Sequence, residues 1–389
     1  MPIVDLFCGC GGLSTGFQNL FDIVAAYDKW DVAVNTYNHF LAHENAHGID
    51  LVNVDEAVEN ITEMHPDIII GSPPCQDFSY AGHREEGERA NLTYTFAEIV
   101  TRIAPLYFVM ENVPGAKDSE TYKRAKQLYI DNHYGLTEVI LDASKCGVPQ
   151  HRSRFFCIGA INQPNDFILG NLLSIYIERE KTVSEYFNEH HYNLNFYTYY
   201  RHPRTYGRRA IFTVDEVSPT IRGVNRPKPD TYILHKNDRI NEDELQNVHI
   251  LSITERALIQ TFPEHYDFEH LPYSRHDIDQ MIGNAVPVAL ARYVALCLNN
   301  FINHQQGREE TAFCKWLRDK KYTDRNIGDL YANLQNATNY DEGNDISNLN
   351  INRVSKNIDF QNLDEKKRKN ILHAIRLRNN YLENVRRIQ

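Results

Sequence analysis

The stretch Ile3-Val4-Asp5-Leu6-Phe7-Cys8-Gly9-Cys10-Gly11-Gly12 decides the fold: residues suited to a buried strand run straight into a turn of small side chains, and a helical pattern follows from about Ser14. A strand ending in small residues lets the backbone come close to a ligand, and the next helix turns free N–H groups toward the same edge. Nucleotide-like ligands sit at this edge of open α/β sheets. Taken singly the signal is weak. Gly9-x-Gly11-x-x-Ser14 lacks the third glycine of the dinucleotide fingerprint, and no phosphate-loop lysine follows.

Outward from that turn, the first ~160 residues alternate short apolar runs with helical patterns, as βαβ units do. Ile23 to Tyr27, Ile68-Ile69-Ile70, Leu106 to Met110 and Phe155 to Ile161 are the further candidate strands. Runs this apolar suit strands buried on both faces of a mostly parallel sheet, so the predicted class is α/β. From about 170 to 275 Tyr, His, Asn and Arg dominate, and the turn signals Pro203, Gly207 and Pro219 recur. A helix-like apolar stretch returns from Met281 to Phe301; residues 302–389 are polar and Asn-rich, with helical pieces near 312–317 and 366–385. The predicted division is a domain over 1–169 completed by 275–300, a smaller loop-rich domain over 170–274, and a helical extension over 301–389.

The net charge of −11 argues against a uniformly DNA-attracting surface. The charge is uneven, however. Residues 301–389 carry 16 basic and 12 acidic side chains, and residues 1–300 carry 25 and 40. Within the acidic body, residues 201–230 hold seven basic side chains against three acidic. Any contact with nucleic acid is therefore local, and the plain reading of such a run is a solvated face. No apolar run approaches the roughly 20 residues of a membrane span, and no basic-then-apolar signal opens the chain. Seven scattered cysteines with no CxxC pair predict free thiols, a cytoplasmic setting and no metal site.

Three further segments carry chemistry. In Gly71-Ser72-Pro73-Pro74-Cys75-Gln76-Asp77-Phe78-Ser79, two prolines stiffen the backbone just before a cysteine that follows a buried strand. A lone cysteine is usually a small buried hydrophobe, but a thiol on a rigid turn at the sheet edge is placed for attack. Glu111-Asn112-Val113 ends the strand after Leu106 to Met110; a carboxyl there, kept partly protonated by desolvation, can hydrogen-bond a ring nitrogen. In Gln150-His151-Arg152-Ser153-Arg154, alternation puts Arg152 and Arg154 on one face, where two guanidinium groups bind oxygens. Asp28 ends the second strand, where a carboxylate either accepts from ribose hydroxyls or caps a helix.

In this order, over residues 2 to about 295, these elements resemble the DNA cytosine-C5 methyltransferase family. Asp5 to Gly12 is similar to its cofactor motif, Pro74-Cys75 to its nucleophile motif and Glu111-Asn112-Val113 to its glutamate motif. Gln150-x-Arg152-x-Arg154 is similar to its arginine motif, Ile253-Thr254-Glu255-Arg256 with Phe262-Pro263 to the motif after target recognition, and Gly283-Asn284-Ala285-Val286-Pro287 to the closing motif. The resemblance implies a Rossmann-like domain that binds S-adenosylmethionine, leaves S-adenosylhomocysteine, and methylates cytosine in double-stranded DNA. Cys75, Glu111, Arg152 and Arg154 are then the expected catalytic groups. The cofactor is expected against Asp5, Phe7, Gly9, Gly11, Gly12 and Leu13, with Asp28 on the ribose and Asp50 at the adenine amino group. Leu51, Pro74, Leu92, Asn284, Ala285 and Val286 complete that pocket. Gln76, Ser79, Arg204, Arg208, Arg209, Thr220, Arg222 and Arg226 are expected on DNA. One departure is Lys29, where many relatives carry an aromatic that stacks on adenine; Trp30 stands one position later.

The nearest alternative is a tRNA cytosine methyltransferase, which shares the Pro-Pro-Cys-Gln, Glu-Asn-Val and Gln-x-Arg-x-Arg elements. The separate basic segment and the lack of a Cys-Phe-Thr tripeptide argue for DNA. A non-catalytic relative would have lost the cysteine or the glutamate, and a nicotinamide-dependent oxidoreductase leaves Cys75 and the arginine pair without a role. A prokaryotic modification enzyme with a cognate restriction endonuclease is the expected setting.

Overall fold

The computed structural model describes the chain except residues 42–44, 75–90, 175–178, 204–206, 307–316, 318–319, 323–329, 331–332, 335, 338–339, 342–349 and 389. It divides into two compact units, Met1–Asn165 with Tyr176–Cys297, and Asp166–Ile175 with Leu298–Gln389.

In the first unit the strands are β1 (Pro2–Leu6), β2 (Asp22–Asp28), β3 (Ala46–Gly48), β4 (Ile68–Gly71), β5 (Tyr107–Asn112), β6 (Tyr134–Asp142), the short β7 (Gln150–His151) and β8 (Ser153–Ile161). Seven of them form one sheet in the order β3-β2-β1-β4-β5-β8-β6. β1 pairs in parallel with β2 and β4, as do β2 with β3 and β4 with β5. β8 runs antiparallel between β5 and β6. The inner strands are β-branched and apolar because both their faces are covered: Ile3, Val4, Ile68, Ile69, Ile70, Phe108 and Val109 are all fully buried. From β1 the chain first builds outward to β3, then returns to β4 on the other side. The carboxyl ends of β1 and β4 therefore part, and a crevice opens between them.

The helices of this region are α1 (Gly12–Phe17), α2 (Asp31–Phe40), α3 (Val54–Thr62), α4 (Asn91–Ile103) and α5 (Glu120–Asp131), with α6 (Leu169–Ser174) in the second unit. α4 shows how the sequence drives packing: Phe96, Ala97, Ile99 and Val100 lie on one helical stripe and are all buried in the core below the sheet. Of the seven sheet strands, β3 and β6 were not anticipated by the sequence reading, and β6 is the longer. Tyr134, Gly135, Leu136 and Thr137 are all buried, so only Glu138 to Asp142 shows the alternation of a half-covered strand.

The tyrosine-rich region holds α7 (Val183–Glu189), β9 (Thr198–Tyr200), β10 (Ile211–Thr213), β11 (Ser218–Pro219) and β12 (His249–Ile250), followed by α8 (Ile253–Ile259), α9 (Arg275–Asn284) and α10 (Val288–Gln306). A three-stranded sheet runs β10-β9-β12, while β11 pairs in parallel with β7 through Ser218 and Gln150. Val183, Phe187, Tyr199, Ile221, Phe262 and Met281 share one core. α8 starts on a capping box: the Ser252 side chain accepts from the Glu255 N–H, and the Glu255 carboxylate accepts from the Ser252 N–H. Arg275–Asn303 is long and apolar enough to cross a membrane by those measures alone, contrary to the sequence reading. Its most apolar window is 72% buried within the protein, as in a core helix.

The second unit has its own apolar core, in which Leu317, Leu334, Val354, Phe360, Ile371 and Ile375 take part. It contains α11 (Ile351–Lys356), α12 (Ile358–Gln361) and α13 (Glu365–Ile388). Asn350 and Asn357 cap the first two through their side-chain oxygens.

Gly283 marks a close backbone-to-backbone approach in the first unit. A Cβ there would lie 2.0 Å from the Gly223 nitrogen, which is backbone and cannot turn aside. Gly283→Ala should therefore lower the unfolding free energy by about 1–3 kcal/mol, read from urea denaturation, and displace the 220–223 segment. A variant as stable as the parent would show that this contact is loose.

Candidate active site

At the carboxyl edge of β1, β2, β4 and β5 lies a cavity of about 690 Å³, within the range of small-molecule sites. The turn after β1 supplies Phe7, Gly9, Gly12 and Leu13, the end of β2 supplies Asp28, and the segment after β3 supplies Asp50 and Leu51. Pro74 follows β4, Leu92 lies on α4, and Asn284, Ala285 and Val286 close the cavity from the end of α9. Fold geometry thus gathers these residues at one place although 279 positions separate the first from the last.

Asp5 and Gly11, expected with them, do not line the cavity. Asp5 is fully buried behind it and accepts a 2.6 Å hydrogen bond from the Ser14 hydroxyl, which in turn accepts from Tyr37. Gly11 turns the chain with φ +87°, and a Cβ there would meet Leu41 Cδ1 at 2.4 Å. Both shape the turn. α1 is only six residues long, so its dipole contributes little; the turn itself does the positioning. Phe7 holds a left-handed φ of 56°, a strained conformation kept where the chain leaves β1 for the cleft.

Asp28 is not the helix cap it was read as, since Trp30 stands at the N-cap of α2; it ties the turn to that residue instead. Its two oxygens accept the N–H groups of Gly9 and Trp30, each at 2.9 Å, which fixes the β1 turn to the start of α2. Its carboxylate also lines the cavity, where spare lone pairs can accept from a ligand hydroxyl. Burial raises its pKa above the usual carboxylate value. Asp50 is half-exposed and lies 3.7 Å from Lys29. Lys29 and Trp30 both reach the lining, so the aromatic stands one place later than in the motif yet still faces the cavity.

On the opposite wall, Glu111 and Arg154 form a buried ion pair with 2.8 Å between Nε and Oε1. Burial raises the Glu111 pKa, and the charges of Arg154 and Arg152 pull against that rise. Asn112, quoted in the sequence but given no role there, donates to the Pro73 carbonyl at 3.3 Å and so braces the proline turn that leads to position 75. Cys75, Gln76, Ser79 and Arg204 lie outside the described residues.

Arg152 departs from its neighbour. It falls between β7 and β8, is 2% exposed, and donates to the carbonyls of Ile221, Gly283 and Ala285 at 2.8, 2.8 and 3.0 Å. It reaches the cavity wall while its terminal guanidinium nitrogens donate to backbone. Around it runs a buried polar network that the sequence reading missed. Gln150 donates to Gln260 and accepts from the Ile221 N–H, while Gln260 donates to the Ile282 carbonyl. Arg256 pairs with Asp279 and donates to the Arg222 carbonyl. Gln150 and Arg256 stand inside motifs already quoted, but nothing in those motifs says which backbone carbonyls their side chains meet.

The residues expected on DNA also separate. Arg209 makes a two-pronged pair with Glu216, both contacts at 2.7 Å, and lies over the Phe212 ring; this is the geometry of a fold contact. Thr220 donates to the His151 carbonyl at 2.7 Å. Arg208 and Arg226 are exposed. Arg222 and Arg226, together with Arg201, surround His202, whose pKa is lowered first by burial and then by those three charges.

A crevice at the switch point of an α/β sheet, holding a buried acid–arginine pair beside a rigid proline turn, is the framework of a group-transfer enzyme. The family model for C-5 cytosine-specific DNA methylase matches residues 1–300. Type II methyltransferase M.HindV of Haemophilus influenzae is 48% identical over 303 residues, covering 77% of this chain and 97% of the relative. Type II methyltransferase M.HgiDI of Herpetosiphon aurantiacus is 47% identical over 312 residues, 79% of this chain and 97% of the relative. The solved S. pombe Dnmt2 methyltransferase shares the fold, with a TM-score of 0.59 at 16% identity over 77% of this chain and 99% of that one. The chain belongs to the C-5 cytosine-specific DNA methylase family and is a DNA (cytosine-5) methyltransferase. Family membership implies S-adenosylmethionine as methyl donor and DNA as substrate.

Burial raises the Asp5 pKa from 3.8 to about 7, against the opposing Ser14 hydrogen bond. A carboxyl whose folded pKa is raised stabilises the fold fully below its unfolded pKa and loses that contribution as pH rises through its folded pKa. Stability should therefore decline between pH values near 4 and 7, by an amount on the order of 4 kcal/mol. Asp5→Asn, which titrates at neither value, should flatten that slope. Urea unfolding midpoints across this range check it; equal slopes in both proteins would remove Asp5 as the cause.

Proposed function

We propose that the enzyme methylates C5 of cytosine within a specific double-stranded DNA sequence, through a covalent bond from Cys75 to C6 of a base turned out of the helix. The observation that carries this reading is the Glu111–Arg154 pair, buried on the wall of the same cavity as the Phe7 to Leu13 turn and next to Pro74, the residue that precedes Cys75. The cavity fits the donor: Asp28 and Asp50 offer acceptors for hydroxyl and amino groups, and Phe7, Trp30 and Leu51 offer apolar surface. S-adenosylmethionine, when bound there, supplies an electrophilic methyl group on a sulfonium and leaves as S-adenosylhomocysteine.

C5 of cytosine is a poor nucleophile until the ring is made electron-rich. The Cys75 thiolate forms a bond to C6, and the displaced electron pair makes an enamine with charge on N3 and O2. Glu111, kept more protonated by burial, donates at N3, and Arg154 holds O2. C5 gains the methyl, loses its proton to a base, and the pair from that C–H bond restores the ring as the C6–S bond breaks. Cys8 and Cys10, which also line the cavity, do not compete, because burial pushes the Cys10 thiol up to about 12 and Cys8 well above its usual range. Turning the base out costs a few kcal/mol of stacking and pairing. Contacts from residues 170–274, acting as the target-recognition domain beside a catalytic domain of 1–169 completed by 275–300, offset that cost. Arg222 and Arg226 are the side chains proposed to read or hold the target. The setting proposed is a prokaryotic cytoplasm, with a restriction endonuclease recognising the same sequence.

Cys75→Ser should abolish formation of 5-methylcytosine, and Glu111→Gln should slow turnover by about 10²–10⁴ with little change in cofactor binding. Single-turnover transfer of labelled methyl to genomic DNA measures both, and a serine variant of normal speed would end the covalent reading. Arg222→Ala or Arg226→Ala should weaken DNA binding or relax the methylated sequence, visible when modified positions are sequenced. If both variants keep affinity and sequence preference, neither side chain contributes.

A further inference from the structure

The family match ends at residue 300, and the second unit beyond it carries a charge opposite to that of the body. Residues 351–389 hold ten basic and four acidic side chains, whereas residues 1–300 hold 25 and 40. The basic charge is organised. In α13, Ile371, Ala374, Ile375 and Arg378 are buried on one face. At 100° per residue, Lys366, Lys369, His373 and Arg376 fall on the opposite face, and all four are exposed. Lys369 meets Glu365 at 2.6 Å in a surface pair with both side chains more than 70% exposed, which costs little to exchange for another anion. Neither Lys366 nor Arg376 has a carboxylate partner among the described residues.

From Lys366 to Arg376 this face is about 15 Å long. One DNA strand carries a charge roughly every 3.4 Å of helix axis, so about four phosphates span the same length. We infer that the exposed face of α13 is a second, sequence-independent contact for the DNA backbone, made by residues beyond the matched family region. The inference rests on duplex DNA as the substrate. An acidic body of net −15 repels that polyanion, and a basic face on the same chain offsets the repulsion without adding sequence information.

The test uses the full chain with Lys366→Gln, Lys369→Gln and Arg376→Gln together, binding a labelled mixed-sequence duplex of about 40 base pairs, from about 50 to 200 mM NaCl. The plot of log affinity against log salt should become shallower by about 2.7, and low-salt affinity should fall at least about tenfold. Methyl transfer at saturating DNA should stay unchanged. The charge-preserving set Lys366→Arg, Lys369→Arg and Arg376→Lys should keep the parental slope. Should the triple glutamine variant fail to fold, Arg376→Gln alone should still lower the slope by about 0.9. An unchanged slope overturns the inference, as does a slope lost in the charge-preserving set. An unchanged slope with loss of a parental dimer in sedimentation assigns the face to self-association and overturns it equally. If the parent transfers methyl to no DNA at all, the fault lies in the functional reading and not in this face.

Discussion

The Arg152 guanidinium is taken out of water and given three backbone carbonyls from two distant segments, Ile221 on one side and Gly283 with Ala285 on the other. Removing a charge from solvent costs several kcal/mol unless its hydrogen bonds are replaced, so the arrangement holds only while both segments stay in place. Gln150 and Gln260 satisfy neighbouring amides of the same segments. The cavity wall formed by residues 283–286 and the segment around Ile221 are thereby fixed to the link between β7 and β8 that carries Arg152. Gly283 permits this because its hydrogen leaves room for the Gly223 backbone.

The same burial sets the chemistry of the cleft. Asp5, Asp28 and Glu111 all have raised pKa values, each because desolvation outweighs the hydrogen bonds and charges that favour ionisation. They use it differently. Asp5 is sealed behind the turn and bears on stability, Asp28 ties two loops while facing the cavity, and Glu111 sits against Arg154 on the cavity wall. Buried Cys8 and Cys10 beside them are held as thiols by the same desolvation. Charge outside the cleft follows another logic: the chain is acidic over residues 1–300 but gathers cations at 201–230 and again in the terminal helices.

Much of this was open to reading in the linear chain. Apolar runs at Ile3–Leu6, Ile68–Ile70 and Leu106–Met110 define buried strands whatever packs on them, because unbroken branched side chains cannot face water on either side. The short motifs around Gly9, Pro74, Glu111 and Asn284 declare themselves through residue types that backbone geometry demands. β6 was missed because its first four residues are buried on every side and show no alternation. The pairing of Arg209 with Glu216 and the bond from Thr220 to the His151 carbonyl were equally hidden, since a cation or hydroxyl looks the same in sequence whether it faces a phosphate or its own fold.

Local order along the chain therefore determined the class of fold, the family and the acid, thiol and arginine motifs, because each depends on neighbours a few residues apart. Only the tertiary structure decided that Arg152 clamps backbone while Arg154 meets Glu111, that Asp5 lies behind the cavity, and that residues 7 and 286 share one wall. Those outcomes depend on which carbonyls and carboxylates come within about 3 Å, a distance set by strand order and helix packing and carried by no segment of the chain alone.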